Sequence, residues 1–157
     1  MQDLTIRRAH EEDIPTLDRL LYQVHQVHSD VRPDLFVPGA KKYSDDELRQ
    51  ILVDERTPVF VAEEDGAVLG YCFCIHQQAP HGNMTDIRTL YIDDLCVDAS
   101  SRGKHVGEAL YRYAADYARA CGCYNVTLNV WAGNPGAQAF YARMGLQVQK
   151  YGMEQIL

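Results

Sequence analysis

The clearest alternation of apolar and polar positions lies between Tyr91 and Cys121. Leu90, Ile92, Leu95 and Val97 read as an apolar strand, followed by a short polar turn, Asp98 to Ser101. Val106, Leu110, Ala114, Tyr117 and Cys121 then recur at the spacing of one buried helical stripe. Gly122 ends that helix, and Asn125 to Val130 reads as the next strand. A strand, a helix and a strand over this length form a crossover unit, so the two strands are expected to run parallel.

The flanking pattern supplies the other elements. Leu4 to Arg7 alternates as a first strand. Glu11, Glu12 and Asp13 precede Ile14, Leu17, Leu21, Val24 and His28, a helix with acidic residues in its first turn. His25 and His28 fall near its end, where the expected role is partnering the C-terminal dipole. Ser29 to Tyr43 is irregular, interrupted by Pro33, Pro38 and Gly39. Ser44 opens a second helix through a capping box with Glu47, and Leu48, Ile51 and Leu52 form its buried stripe. Val59 to Glu63 and Val68 to Ile75 are strands joined by the hairpin signal Asp65-Gly66, and Gly70 marks a bulge or a close approach. A polar loop from His76 to Thr85 leads to the strand Arg88 to Val97. Asn134 and Pro135 open a last helix with Ala137, Phe140, Tyr141 and Met144 on one side and Gly145 as its cap. Leu146 to Lys150 and Met153 to Leu157 are expected to close the sheet as a strand pair around Gly152.

Composition narrows the classes. The chain has 157 residues, 46% hydrophobic and 24% charged, as expected for one soluble domain spanning residues 1–157. A net charge of −7 argues against a general nucleic-acid binder. No apolar run has signal-peptide or membrane-spanning form, so no membrane partner is expected and the cytoplasm is the expected location. The five cysteines include no Cys-x-x-Cys pair. Cys72 and Cys74 alternate along one strand and read as small core residues, and no metal site is expected.

The strand-to-helix junction holds Arg102-Gly103-Lys104-His105-Val106-Gly107. A basic, glycine-bearing turn that opens a helix presents free N–H groups at the positive end of the dipole, where phosphate oxygens bind. Neither the Walker loop nor the three-glycine dinucleotide fingerprint is present. An anion site and an ordinary tight turn both remain open on spacing alone.

With the order of elements, this turn, and Asn134, Phe140, Tyr141 and Gly145 in the last helix, the chain resembles the GNAT superfamily of acyl-CoA-dependent N-acyltransferases. His105 stands where the family turn has its first glycine. The strand Ile92-Asp93-Asp94-Leu95-Cys96-Val97 is similar to the acidic fourth strand of the polyamine acetyltransferase branch. The resemblance implies a mixed α/β fold. Its central twisted sheet would have about seven strands, with about four helices and a V-shaped splay between the fourth and fifth strands.

It further implies acetyl-CoA as cosubstrate. Backbone groups of Leu95, Cys96 and Val97 would pair with the pantetheine arm. The N–H groups from Arg102 through Gly103, Lys104, His105, Val106, Gly107 and Glu108 to Ala109 would hold the pyrophosphate, and Asn134 and Tyr141 would complete the cofactor site. Tyr141 is the matching general acid for the departing thiolate, and the amide of Cys96 or Val97 is the candidate oxyanion donor. A carboxylate must take the amine's proton. Asp93 and Asp94 occupy adjacent positions, so only one is expected to face the cleft, and similarity to the polyamine branch selects Asp93. Tyr22, Asp30, Asp34, Phe36, Asp86 and Asp93 are candidates to contact the acceptor, a small-molecule or peptide amine. Homodimers are common in such folds, although no seam is visible in the sequence. A non-catalytic acyl-CoA-binding module is the alternative that His105 motivates.

Overall fold

The computed structural model describes residues 3–157. The elements follow in the order β1 (Thr5–Arg8), α1 (Ile14–Val31), α2 (Asp45–Val53), β2 (Val59–Glu64), β3 (Ala67–Gln78), β4 (Arg88–Val97), α3 (Val106–Ala120), β5 (Asn125–Thr127) and α4 (Pro135–Arg143). Short 3₁₀ turns precede α1 and follow β4. The strands form one sheet in sequence order, antiparallel from β1 to β4 and parallel between β4 and β5.

Local chemistry accounts for the element ends. The Ser44 side chain accepts from the Glu47 amide while the Glu47 carboxylate accepts from the Ser44 amide, so the capping box forms. Asp65 and Gly66 both adopt positive φ, 52° and 78°, which matches the twist of the β2–β3 hairpin. Gly122 and Gly145 take positive φ behind α3 and α4.

The sheet separates two apolar layers. On one face Leu17, Leu20, Leu21 and Leu48 from α1 and α2 bury Val59, Val61, Tyr71, Phe73 and Cys96. On the other, Val106, Leu110, Ala114 and Ala118 of α3 bury Phe60, Ala62, Cys72, Cys74, Leu90 and Ile92. The α3 stripe ends on Ala118, and Tyr117 is only half-buried, its hydroxyl 2.7 Å from His76 Nε2. Cys72 and Cys74 share a face, with sulfurs 3.7 Å apart.

Two register shifts shape the sheet. Ala62 pairs with Gly70 and Glu63 with Val68, leaving Leu69 as an extra residue. Gly70 sits where β4 presses closest: a β-carbon there would lie 2.7 Å from the Cys96 carbonyl oxygen and 3.1 Å from Leu110. In β4, Asp94 pairs with Phe73 and Ile92 with Cys74, so Asp93 is the inserted residue of a bulge.

The sheet has five strands among the described residues, against the expected seven. Residues 146–157 run without a ladder. A tight hairpin at Gly152 would need a positive φ, and Gly152 does not adopt one. Val148, Tyr151, Met153, Ile156 and Leu157 in this segment are exposed.

Candidate active site

The parallel pairing of β4 and β5 covers only Thr89–Tyr91 against Asn125–Thr127. A side-chain bond from Thr89 Oγ1 to Asn125 Oδ1, 2.6 Å, and another from Asn129 Nδ2 to the Tyr91 hydroxyl, 3.2 Å, lie at this end. Beyond Tyr91, β4 continues to Val97 with its β3 edge paired and its β5 edge open. The two strands thus part at the expected place, and Leu95, Cys96 and Val97 lie on the open edge.

The turn after β4 is fastened to α1. Asp98 caps the 3₁₀ turn by accepting from the Ser100 amide at 3.1 Å, and Arg19 donates to its other oxygen at 2.6 Å. These bonds, the one from Arg19 foremost, hold the Asp98 carboxyl below its ordinary range. The Ala99 amide donates to Gln23 Oε1. Arg102, Gly103, Lys104 and His105 follow as an exposed strip, and α3 begins at Val106.

His105 is the N-cap of α3 in the left-handed conformation, φ 61°. Glycine takes that region without strain, which gives a conformational reason for a glycine at this position. The imidazole is 83% exposed, beside Glu108 at 3.5 Å, so it does not fill the turn. Glu108 itself pairs with Arg112, one turn further along α3. Gly107 faces Phe140 and Val97, and Ala109 is half-buried in the first turns of α3.

Asn134 caps α4 by accepting from the Ala137 amide at 3.1 Å. Tyr141 is half-buried beside Tyr111, ring centroids 6.4 Å apart, and burial raises its hydroxyl pKa well above the ordinary tyrosine range. The negative charges of Cys72, were it ionised, and of Asp94 push in the same direction.

The bulge changes the reading of the two carboxylates. The expectation that only one faces the cleft fails, because an inserted residue interrupts strict alternation. The Tyr43 hydroxyl donates to Asp93 at 2.5 Å and Lys42 to its other oxygen at 2.8 Å. The Tyr71 hydroxyl donates to Asp94 at 2.6 Å. Both tyrosines belong to the layer of α1 and α2, so both carboxylates lie on that face. Burial raises the Asp94 pKa to about 6, against the bond from Tyr71 and with the help of neighbouring Asp93. Cys96 is buried, its thiol pushed up to about 12 chiefly by burial, so it stays a neutral core residue.

A cavity of about 390 Å³ opens beside Asp93, lined by Tyr43, Glu47, Gln50, Thr57, Phe73 and Ile75 among others. Tyr43, Glu47 and Gln50 are absent from the site residues expected from the sequence. Tyr43 follows the irregular loop and Glu47 was assigned only its capping role, so neither carried a local signal.

The expected acceptor residues scatter. Tyr22 is exposed beneath Lys41, Asp30 accepts from Gln26, and Asp86 is exposed in the loop before β4. Asp34 is held by both arms of the Arg32 guanidinium, at 2.9 and 2.8 Å, which lowers its pKa. Phe36 packs against His28, His25 and Trp131 at centroid distances of 5.3, 5.6 and 5.5 Å. His25 meets the Val37 carbonyl at 2.6 Å, and burial lowers the His28 pKa. The two histidines therefore build an aromatic cluster, and His28 is poorly suited to the cationic dipole role.

Residues 24–146 match the Acetyltransferase (GNAT) family. The chain belongs to the GNAT acetyltransferase family. The BH1408 protein of Bacillus halodurans, solved in mutant form, is similar at 30% identity over 98% of this chain and 99% of its own, with a TM-score of 0.92. An uncharacterized N-acetyltransferase of Methanocaldococcus jannaschii is 26% identical across 91% of this chain and 60% of its own. Glucosamine 6-phosphate N-acetyltransferase 1 of Oryza sativa subsp. japonica is 38% identical over 58 residues, 37% of this chain and 33% of that protein. This chain thus spans less than two thirds of either curated relative. Among the described residues no helix is long and apolar enough to cross a membrane, and no cluster of side chains has metal-binding form.

Proposed function

We propose that the chain transfers acetyl from acetyl-CoA to the primary amine of a small cationic acceptor by direct attack in a ternary complex. The observation that carries this is the open β4 edge running past two carboxylates that share one face. Leu95, Cys96 and Val97 offer that edge to the pantetheine arm as an added strand would use it. The amides from Arg102 to Ala109 take the pyrophosphate, with Arg102 and Lys104 adding charge.

In this reading Asp94 takes the amine's proton, directly or through water. Its pKa of about 6 leaves it ionised at neutral pH yet basic enough to accept a proton. The neutral nitrogen then attacks the thioester carbon, and the oxyanion gathers on the amide of Cys96 or Val97. When the carbon–sulfur bond breaks, the thiolate takes the hydroxyl proton of Tyr141, whose burial keeps it protonated, and the proton released by the acylated nitrogen restores the hydroxyl through solvent. Asp93, beside the cavity, holds the acceptor. The sheet separates Asp93 from the α3 layer, so the acceptor and the pyrophosphate turn approach from different directions.

The cavity walls carry Asp93 and Glu47, with Lys42 as the neighbouring cation. That balance suits an amine with a second positive charge, as in the polyamine branch, better than a phosphorylated amino sugar such as the rice relative's name denotes. The cytoplasm, where acetyl-CoA and such amines meet, is the compartment this reading favours. Thiol release from acetyl-CoA across a panel of polyamines, aminoglycosides, amino acids and glucosamine 6-phosphate tests it. Preferred turnover of a polycationic amine is expected. Preference for the phosphorylated sugar would contradict the acceptor class, and CoA binding with no turnover on any amine would favour a non-catalytic module.

A further inference from the structure

We infer that Lys42 is an acetylation site of this chain, its ε-amine taking acetyl from an acetyl-CoA bound to the same copy. The step rests on the acetyl-transfer reading of the open β4 edge. What carries it is the occupant of Asp93. The carboxylate that would hold an acceptor amine already holds one, because Lys42 Nζ lies 2.8 Å from Asp93 Oδ1. The Lys42 side chain is 51% exposed and that of Asp93 only 9%, so the amine reaches in from solvent to a sheltered carboxylate.

The chain on either side of Lys42 is held. Lys41 donates to Asp18 and to Asp45. The Tyr43 hydroxyl donates to Asp93 at 2.5 Å, and Ser44 caps α2. The Lys42 ammonium lies 5.4 Å from the centroid of the Tyr43 ring. Asp94, the base, follows Asp93 directly and lies on the same face. Burial raises its pKa, and the Lys42 charge is close enough to act on it in the opposite direction. Leu95, on the open edge, stands two residues beyond Asp93, about 7 Å along a strand. The flexible four-carbon stem of a lysine covers that distance by rotation about its own bonds.

Asp94 takes one proton from the Lys42 ammonium, and the neutral nitrogen attacks the thioester carbon of acetyl-CoA. The nitrogen–carbon bond forms and the carbon–sulfur bond breaks. The thiolate takes the Tyr141 proton, the acylated nitrogen gives up a proton that restores the hydroxyl, and Asp94 returns its own to solvent. The products are free CoA and a neutral amide at Lys42. Asp93 then keeps the Tyr43 hydroxyl but no longer the Lys42 cation, so an external amine meets no internal competitor. The other lysines are placed differently. Lys41 is bound by two carboxylates, whereas Lys104 and Lys150 are exposed, one in the turn before α3 and one in the C-terminal segment.

Incubation of the full chain with acetyl-CoA and no amine, followed by intact-mass measurement and peptide mapping, tests this. One acetyl per chain is expected on Lys42, gained at least about 10-fold faster than on Lys104 or Lys150, which report uncatalysed acetylation. Its rate constant should hold within about twofold while chain concentration varies about 100-fold, as a step within one copy requires. Asp94→Asn should slow the Lys42 mark by about 100-fold. Acetyl already on Lys42 of the purified wild type and absent from purified Asp94→Asn is the same result. An unmarked Lys42, a mark no faster than on Lys104 and Lys150, a rate proportional to chain concentration, or an undiminished mark in Asp94→Asn would overturn the inference. Should Asp94→Asn misfold, the Lys42 preference and its independence of concentration in the wild type decide alone. Amine turnover beside an unmarked Lys42 would leave the acetyl-transfer reading standing, and no turnover on any amine beside an unmarked Lys42 would remove both.

Discussion

Asp93 and Asp94 are neighbours along β4, yet both turn to the same face of the sheet, one under the Tyr43 hydroxyl and one under that of Tyr71. The bulge that makes this so places two carboxylates where strict alternation would place one. Burial, with the charge of Asp93 acting in the same direction, holds the Asp94 pKa up at about 6.

The first consequence is a pH profile. With Asp94 as base, turnover should rise through about pH 6 and level off above it. Asp94→Asn should lower kcat roughly 100-fold and remove that rising limb. Asp93→Asn should mainly raise KM for the cationic acceptor and keep the limb. A limb that survives in Asp94→Asn and vanishes in Asp93→Asn would exchange the two roles.

The same group sets a stability trend. Its folded pKa, about 6, lies above the ordinary 3.8, so between those values the folded chain holds a proton the unfolded chain has released. Stability from this group is therefore fully present below the lower value and lost as pH rises through about 6. The loss is at most about 3 kcal/mol. Urea unfolding at pH 5 and pH 7.5 should show the wild type losing stability between them from this source, and Asp94→Asn losing less.

Tyr141→Phe should lower kcat by about 100-fold and leave KM for acetyl-CoA nearly unchanged, as expected for a proton donor acting only as the thiolate departs. Single-turnover kinetics with the preferred amine measure this. Unchanged turnover would remove Tyr141 from the acid role.

His105→Gly should raise stability by about 0.5–1 kcal/mol, since it relieves a left-handed residue at some cost in unfolded-chain entropy. The imidazole is exposed, so affinity for CoA should change by less than about threefold. Thermal unfolding and calorimetric titration of the same variant report both numbers.

Much of this arrangement was legible in the chain. The Ser44–Glu47 box, the Asp65-Gly66 hairpin and the Asn134-Pro135 helix start are local chemistry, and each formed as read. Arg88–Val97 was bounded correctly because its apolar run is long and its flanks are polar. The β4 bulge left no such mark. Its inserted residue is an aspartate, not a glycine, and the insertion exists only in the pairing with β3. Tyr43 and Tyr71 reach the carboxylates across 50 and 23 residues of sequence, beyond any local signal. The closing strand pair failed for a related reason. Leu146 to Leu157 has the apolar content of strands, but a ladder needs a partner strand, which apolar content alone does not specify.

The most direct test of the account is an amide NMR titration of the wild-type chain with CoA. The largest shift changes should fall on Leu95, Cys96 and Val97 along the open strand edge and on Gly103 through Ala109 at the start of α3. Saturation without changes at those two segments, or no binding at all, would contradict a thioester carrier lying between β4 and β5.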